Sequence, residues 1–252
     1  MCMHNILSNV GVVILAAGKG TRLGCTDIPK VMLPLAGKPM VSYIVDTLRA
    51  CGFTKEQVCL VVGFKKEKVK EYFTDSVSYA FQEEQKGTAH AAHIGMKMFD
   101  DHIKHILILQ GDDSAFYSCD TLHHFVQSHI DQAMTISLLS THMDDPANLG
   151  RIVRHDDGRI EVIEKEYSTV EQKKINEVST GTFCVIRSWF EHMYPTMPAL
   201  RKLGEYVMPT ALAIAREEGS PYQVVPVRDS HEWFGVNTQE QLLIAESRKS
   251  SL

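Results

Sequence analysis

Up to residue 140 the chain alternates between short apolar runs and stretches of helical periodicity, and that order leaves few folds open. The run NVGVVILAA (residues 9–17) reads as a first strand. The stretch PMVSYIVDTLRACG opens with Pro39, carries apolar residues at helical spacing and stops at Gly52, as a helix should. EQVCLVVGF reads as a strand, KKEKVKEYF as a short solvated helix, VSYAFQ as a strand and GTAHAAHIGMKMF as a helix. HILILQ is a further strand ending at GDD, followed by the helix CDTLHHFVQSHI and the strand AMTISLLS. This β-α-β-α order argues for an α/β fold, a mostly parallel sheet with helices on both faces. Beyond residue 140 the rhythm changes. GRIVRHDDGRIEVIEKE reads as a hairpin turning at Asp157-Gly158, INEVSTGTFCVI as a strand and EYVMPTALAIAREEG as a helix closed by Gly219. PYQVVPV and TQEQLLIAESRK supply a last strand and a closing helix.

The whole chain reads as one domain, with no internal repeat, low-complexity segment or linker. With 252 residues, 44% hydrophobic and 23% charged, it has the composition of a soluble globular protein and length enough for a large core. A net charge of -5 without a basic stripe argues against a nucleic-acid partner. Cys2, Cys25, Cys51, Cys59, Cys119 and Cys184 are scattered, with no disulfide framework or zinc spacing in view, and fit a reducing cytoplasm. The opening MCMHNILSN lacks the basic region of a signal peptide, and the apolar run behind it is too short for a membrane span.

The first strand runs into LAAGKGTRLGCTDIPK, residues 15–30. A strand feeding a glycine-rich loop points to bound phosphate. The loop supplies neither G-x-x-x-x-G-K-[ST] nor G-x-G-x-x-G, because Gly18 and Gly20 are followed by Leu23 and only then Gly24. What remains is G-x-G-T-R, a spacer, then P-K. Glycines at 18 and 20 let backbone N–H groups approach a polyphosphate, Arg22 can clamp phosphate oxygens through its planar fork, and Lys30 can place a compact charge.

This pattern, with Leu15-Ala16-Ala17, Gly18, Gly20, Thr21-Arg22 and Pro29-Lys30 in order, resembles the signature of the sugar-1-phosphate nucleotidyltransferases, the sugar-nucleotide pyrophosphorylases. The resemblance runs from about Val12 to Leu243, with AGKPM, GEY and GVN as further matches, and is nearest to the uridyltransferase domain of the bifunctional bacterial enzymes that make UDP-N-acetylglucosamine. It implies a Rossmann-like fold of the nucleotide-diphospho-sugar transferase type, with a nucleotide-binding part over about 8–140 and a sugar-phosphate-binding part over about 141–245. QEEQKGTAHA matches the segment that reads the nucleobase, so Gln82, Gly87 and Thr88 are expected around a pyrimidine; Thr88 also suits a helix N-cap. Asp112, at the carboxyl end of a strand, and Asn237 of FGVN are implied as the two protein ligands of Mg2+, although Asn237 alone would read as a helix cap. Gly150, Glu164 and Ser179 are implied around the acceptor sugar phosphate, and Lys165 either meets that phosphate or forms a surface salt bridge.

The expected reaction is in-line attack of a sugar-1-phosphate oxygen on the α-phosphorus of UTP, with N-acetylglucosamine 1-phosphate favoured and pyrophosphate leaving. The attacking group is already anionic, so orientation and charge stabilisation by Arg22 and Lys30 are the catalytic needs. The partners expected are the nucleoside triphosphate and the sugar 1-phosphate, with no membrane, in a monomer or small homo-oligomer. Use of dTTP or CTP, another phosphorylated acceptor, or a catalytically silent nucleotide-sugar binder are the alternatives. Two departures from the family pattern stand out. Ser179 replaces a typical Asn, and Asp113-Ser114 follow the Gly-Asp pair, where Asp113 either adds a metal contact or caps a turn. No hexapeptide repeat is present, so neither acetyl transfer nor a trimer built on a β-helix is expected. His90/His93 and His102/His105 have helical metal spacing without further ligands nearby, and read as helix surface, as does His123-His124.

Overall fold

The first strand, β1 (Val10–Ala16), is buried along its whole length, the signature of a strand covered on both faces. A computed structural model describes residues 6–146, 149–200 and 204–251; Cys2 lies outside them. In chain order β1 is followed by the small ladder β2 (Pro34–Leu35) and β3 (Lys38–Pro39), helix α1 (Met40–Ala50), β4 (Val58–Val62), α2 (Lys66–Phe73) and β5 (Ser78–Phe81). Then come α3 (Thr88–Met96), β6 (His105–Gln110), α4 (Cys119–Asp131), β7 (Ile136–His142), β8 (Arg151–Arg154), β9 (Ile160–Ile163) and β10 (Glu177–Ile186). Helix α5 (Arg187–Met193), α6 (Met208–Glu217), β11 (Tyr222–Pro226) and α7 (Gln239–Ser250) complete the order.

The main sheet runs β11-β7-β10-β6-β1-β4-β5. Pairs β6–β1, β1–β4, β4–β5 and β11–β7 are parallel, whereas β10 enters antiparallel between β6 and β7. The hairpin β8–β9 joins through Val178 of β10 and is tied down where Arg154 Nη2 meets Glu177 Oε1 at 2.7 Å. Alternation sends Val12, Ile14, Leu60, Leu107 and Leu109 to one face, against α1, α2 and α4. Val13, Val61, Ile106, Ile108 and Phe183 go to the other, against α3, α5 and α6. Pairing β1 between β4 and β6 carries the loop after β1 and the segment after β6 to the same edge of the sheet, where the Gly111 N–H donates to the Leu15 carbonyl at 3.0 Å.

The mixed sheet with helices on both faces agrees with the expected architecture. The expected helix from Glu205 begins only at Met208, because a proline fits the first helical turn, where its missing N–H leaves no bond unmade, and an earlier start would bring its ring against the Glu205 carbonyl; the N-cap Val207 is extended. Helix α5 follows β10 with no turn residue between and was not anticipated. His102 and His105 share no helix, since His105 opens β6. The cysteine reading is corrected at one place: Cys51, at the C-cap of α1, and Cys119, first residue of α4, form a disulfide across 68 positions. That spacing gave no sign of it, because the two helices meet only once they pack on the same sheet face. No helix among the described residues is long and apolar enough to cross a membrane.

Candidate functional site

At the carboxyl edge of the parallel strands three adjoining clefts of about 200, 270 and 200 Å³ share Asp112. Asp112 stands two residues beyond β6, where parallel strands end and backbone groups turn toward a ligand. Lys30 opens a short 3-10 turn after Pro29 and is almost wholly buried. Its Nζ donates to Asp112 Oδ2 and, at 2.9 Å, to Asn237 Oδ1. Residues separated by 82 and 207 positions thus meet at one ammonium. Asn237 is free to do so because the N-cap of α7 is Thr238, whose hydroxyl accepts from Gln241 N. The alternative reading of Asn237 as the helix cap does not hold, since Thr238 caps α7. Two hard oxygens aimed at one positive charge suit a divalent cation of the Mg2+ kind, with other oxygen ligands completing the shell. No group of three or more His, Cys, Asp or Glu able to hold a metal occurs among the described residues.

The two loop glycines serve different ends. Gly20 has φ +69°, and a Cβ there would lie 2.7 Å from Cβ of Lys30, so only glycine lets the loop close over that side chain. A Cβ at Gly18 would meet nothing within 4 Å, which leaves the loop open toward the cleft it lines. Thr21 and Arg22 line the same cleft and are exposed. Leu15 and Ala17 line the first cleft, and the Ala16 side chain between them faces the core on the other side of the sheet.

Gln82, Gly87 and Thr88 also line the first cleft. Gln82 directly follows β5 and donates through Nε2 to the Gly87 carbonyl at 3.1 Å. Gly87 has φ +102°, and a Cβ there would stand 2.4 Å from the Tyr206 carbonyl oxygen, so the segment before α3 can take no other residue without shifting. It is also the N-cap of α3; Thr88 instead accepts from Met208 N at 3.0 Å and holds the start of α6 beside α3.

The second cleft contains Gly150, Glu164, Ser179 and Asn237. Ser179 N donates to the Gly150 carbonyl at 2.9 Å, so β10 fixes the approach of the loop before β8. Burial and the neighbouring Glu166 raise the pKa of Glu164. After Ser179 the register of β10 shifts, and Thr180 Oγ1 donates to the Leu139 carbonyl at 2.7 Å while Gly181 N donates to Ser179 Oγ at 3.2 Å. This bulge turns Thr180 and Gly181 into the cleft, a contribution no motif announced. Lys165 is exposed, in the short 3-10 turn that follows β9, and is not among the residues that line this cleft. Asp113 lies in the same cleft beside Trp233; burial and then the Asp112 charge hold its pKa well above the ordinary carboxylate value. His90 and His93 are no free helix surface either. His90 bonds to Gln82, and His93 stacks on Tyr194, its centroid 4.2 Å away, with its pKa pushed down to about 4 by burial and then Lys97.

Residues 11–209 match the family described as Nucleotidyl transferase, well over half of the chain. The chain belongs to that family. Its α/β fold, with one antiparallel strand set into a mainly parallel sheet, is accordingly of the nucleotide-diphospho-sugar transferase type. It is also similar to the bifunctional protein GlmU of several bacteria. The protein of Symbiobacterium thermophilum is 34% identical over 245 residues, 96% of this chain and 51% of the relative. That of Carboxydothermus hydrogenoformans is 34% identical over 91% of this chain and 50% of its own length. That of Exiguobacterium sibiricum is 35% identical over 93% and 52%. The chain thus spans about half the length of these curated relatives.

Proposed function

We propose that the protein transfers a uridylyl group from UTP to a sugar 1-phosphate, with N-acetylglucosamine 1-phosphate the favoured acceptor, and releases pyrophosphate. The observation that carries this reading is the meeting of Lys30, Asp112 and Asn237 at the junction of the clefts. The similarity to bifunctional GlmU proteins supports the choice of nucleotide and acceptor.

In this reading Gln82, Gly87 and Thr88 receive the base, and the loop from Leu15 and Ala17 through Gly18, Gly20 and Thr21 takes the triphosphate. Arg22 draws in the outer phosphates, and Lys30 offsets charge as the α-phosphate is attacked. Asp112 and Asn237 would hold Mg2+, which when bound supplies positive charge to the phosphate oxygens. Gly150, Glu164 and Ser179 orient the acceptor, whose own phosphate oxygen is the nucleophile, so neither a general base nor a covalent intermediate is needed. The nucleotide part, about 8–140, and the sugar part, about 141–245, act as one domain. The test is pyrophosphate release from ATP, GTP, CTP, UTP and dTTP with Mg2+ and a panel of sugar 1-phosphates. Release that requires UTP and a particular sugar 1-phosphate is expected. Binding of UTP by calorimetry with no release for any pair would turn the reading to a silent nucleotide-sugar binder.

A further inference from the structure

The Gln82 side chain is one of the polar groups lining the first cleft, and a primary amide can present either a donor or an acceptor to a ligand. Which one it presents is set by what holds its other end. Gln82 Nε2 lies 3.1 Å from the Gly87 carbonyl oxygen and 3.1 Å from His90 Nδ1. A carbonyl can only accept, so the amide atom facing Gly87 is the NH2 group, and its second hydrogen is directed to His90. An amide NH2 donates and does not accept, so His90 Nδ1, 3.1 Å away, takes that hydrogen with its lone pair. The proton of the neutral ring is therefore on Nε2, and Nδ1 keeps its lone pair for Gln82. Burial and then Lys86 lower the His90 pKa, which favours this neutral ring.

Both amide hydrogens are thus committed to the protein, and the oxygen Oε1 is the part of Gln82 left to read a ligand. We infer that His90 is a positioning residue that locks Gln82 with its amide oxygen toward the base, and so selects 2,4-dioxopyrimidine nucleotides, whose N3 carries hydrogen, over cytosine nucleotides, whose N3 is itself an acceptor. This rests on the nucleotidyl-transfer reading above and narrows it. UTP and dTTP share the required edge, so discrimination between them lies elsewhere in the cleft. CTP sets lone pair against lone pair at N3, which a site built on one acceptor rejects.

His90→Asn and His90→Phe separate the lock from packing. Asn can offer an oxygen near the place of Nδ1, whereas Phe keeps the ring volume and removes the acceptor. For wild type and both variants, kcat and KM are measured by pyrophosphate release with UTP, dTTP and CTP, and UTP and CTP affinities by calorimetry without acceptor. The expected result is that His90→Phe lowers the UTP-to-CTP ratio of kcat/KM by about tenfold, mostly through a higher KM for UTP, because only the Gly87 carbonyl then holds the amide. His90→Asn keeps the wild-type ratio. An unchanged ratio in His90→Phe, or an equal loss with UTP and CTP, overturns the inference. Wild-type protein that binds UTP in preference to CTP without turning it over overturns the catalytic reading instead, and the calorimetric ratio in the variants still decides the role of His90. Wild-type protein that binds neither nucleotide overturns both.

Discussion

Replacing Lys30 by methionine removes a charge from a place where two side chains depend on it. The ammonium is shared by Asp112 and Asn237, with side-chain exposures of 11% for Lys30 and 27% for Asp112. Taking away one partner of a buried ion pair costs about 3–5 kcal/mol, since the remaining charge stays desolvated. Asp112 keeps over a quarter of its exposure, so the lower end, about 3 kcal/mol, is expected in metal-free protein. For a domain of this size each kcal/mol lowers Tm by roughly 2–4 °C, which gives a fall of about 6–12 °C by scanning calorimetry. Millimolar Mg2+ should raise the Tm of the variant more than that of the wild type, because the ammonium no longer competes for Asp112 and Asn237. With Mg2+ and substrates present, kcat should fall by about 10²–10³, the loss of one preorganised charge donor in the transition state. The rate is followed as pyrophosphate release. Turnover within about threefold of wild type would refute the assignment of Lys30 to the α-phosphate, and an unmoved Tm would refute its role in holding Asp112.

Arg22→Ala offers the opposite profile: the side chain is exposed, so stability should stay within about 0.5 kcal/mol while KM for the triphosphate rises tenfold or more; a normal KM would remove Arg22 from the site. Gly87→Ala places a Cβ against the Tyr206 carbonyl at φ +102° and should cost about 2 kcal/mol or more in urea unfolding; unchanged stability would mean the segment relaxes freely. His129 is held neutral, its pKa pushed down to about 3 by burial and then His105, while Ser137 Oγ lies 2.8 Å from its Nδ1. Its folded pKa is below the unfolded value of about 6.5, so its contribution is whole above that pH and is lost as pH falls toward 3. At about pH 5 the loss is roughly 2 kcal/mol, and His129→Phe should flatten stability between about pH 7.5 and 5; an identical pH slope in the variant would exclude His129 as the cause.

The strand-to-loop junction after Ala16 was legible because a parallel strand buried on both faces is an unbroken apolar run, and the loop glycines mark where it must end. The meeting of Lys30, Asp112 and Asn237 was legible only through family likeness, since no local period relates residues 207 positions apart. That the Ala16 side chain turns to the core was not legible, because a backbone motif does not say which face of a strand each residue takes. Thr180 and Gly181 escaped notice because a bulge is a failure of register, visible only when the partner strand is in place. His90 was hidden for a related reason: one turn of helix sets it against Gln82, whose direction depends on the fold before α3. Lys165 is next to Glu164 in sequence but sits exposed in the turn that follows β9, a separation that sequence adjacency does not reveal.

The antiparallel entry of β10 also governs the order in which the chain can complete itself. Strand β7 leaves the ribosome with neither of its neighbours made: β10 follows at Glu177 and β11 only at Tyr222. Strands β4, β1 and β6, by contrast, have each other from residue 110 onward, although β6 keeps one edge open until β10 arrives. A growing chain therefore carries an assembled half-sheet with one raw edge and, beyond it, a buried-type strand with two. Shielding of those edges while the rest is synthesised becomes a requirement of this topology, and the interval between Ile136 and Ile186 is where the nascent protein is most open to pairing with the wrong strand.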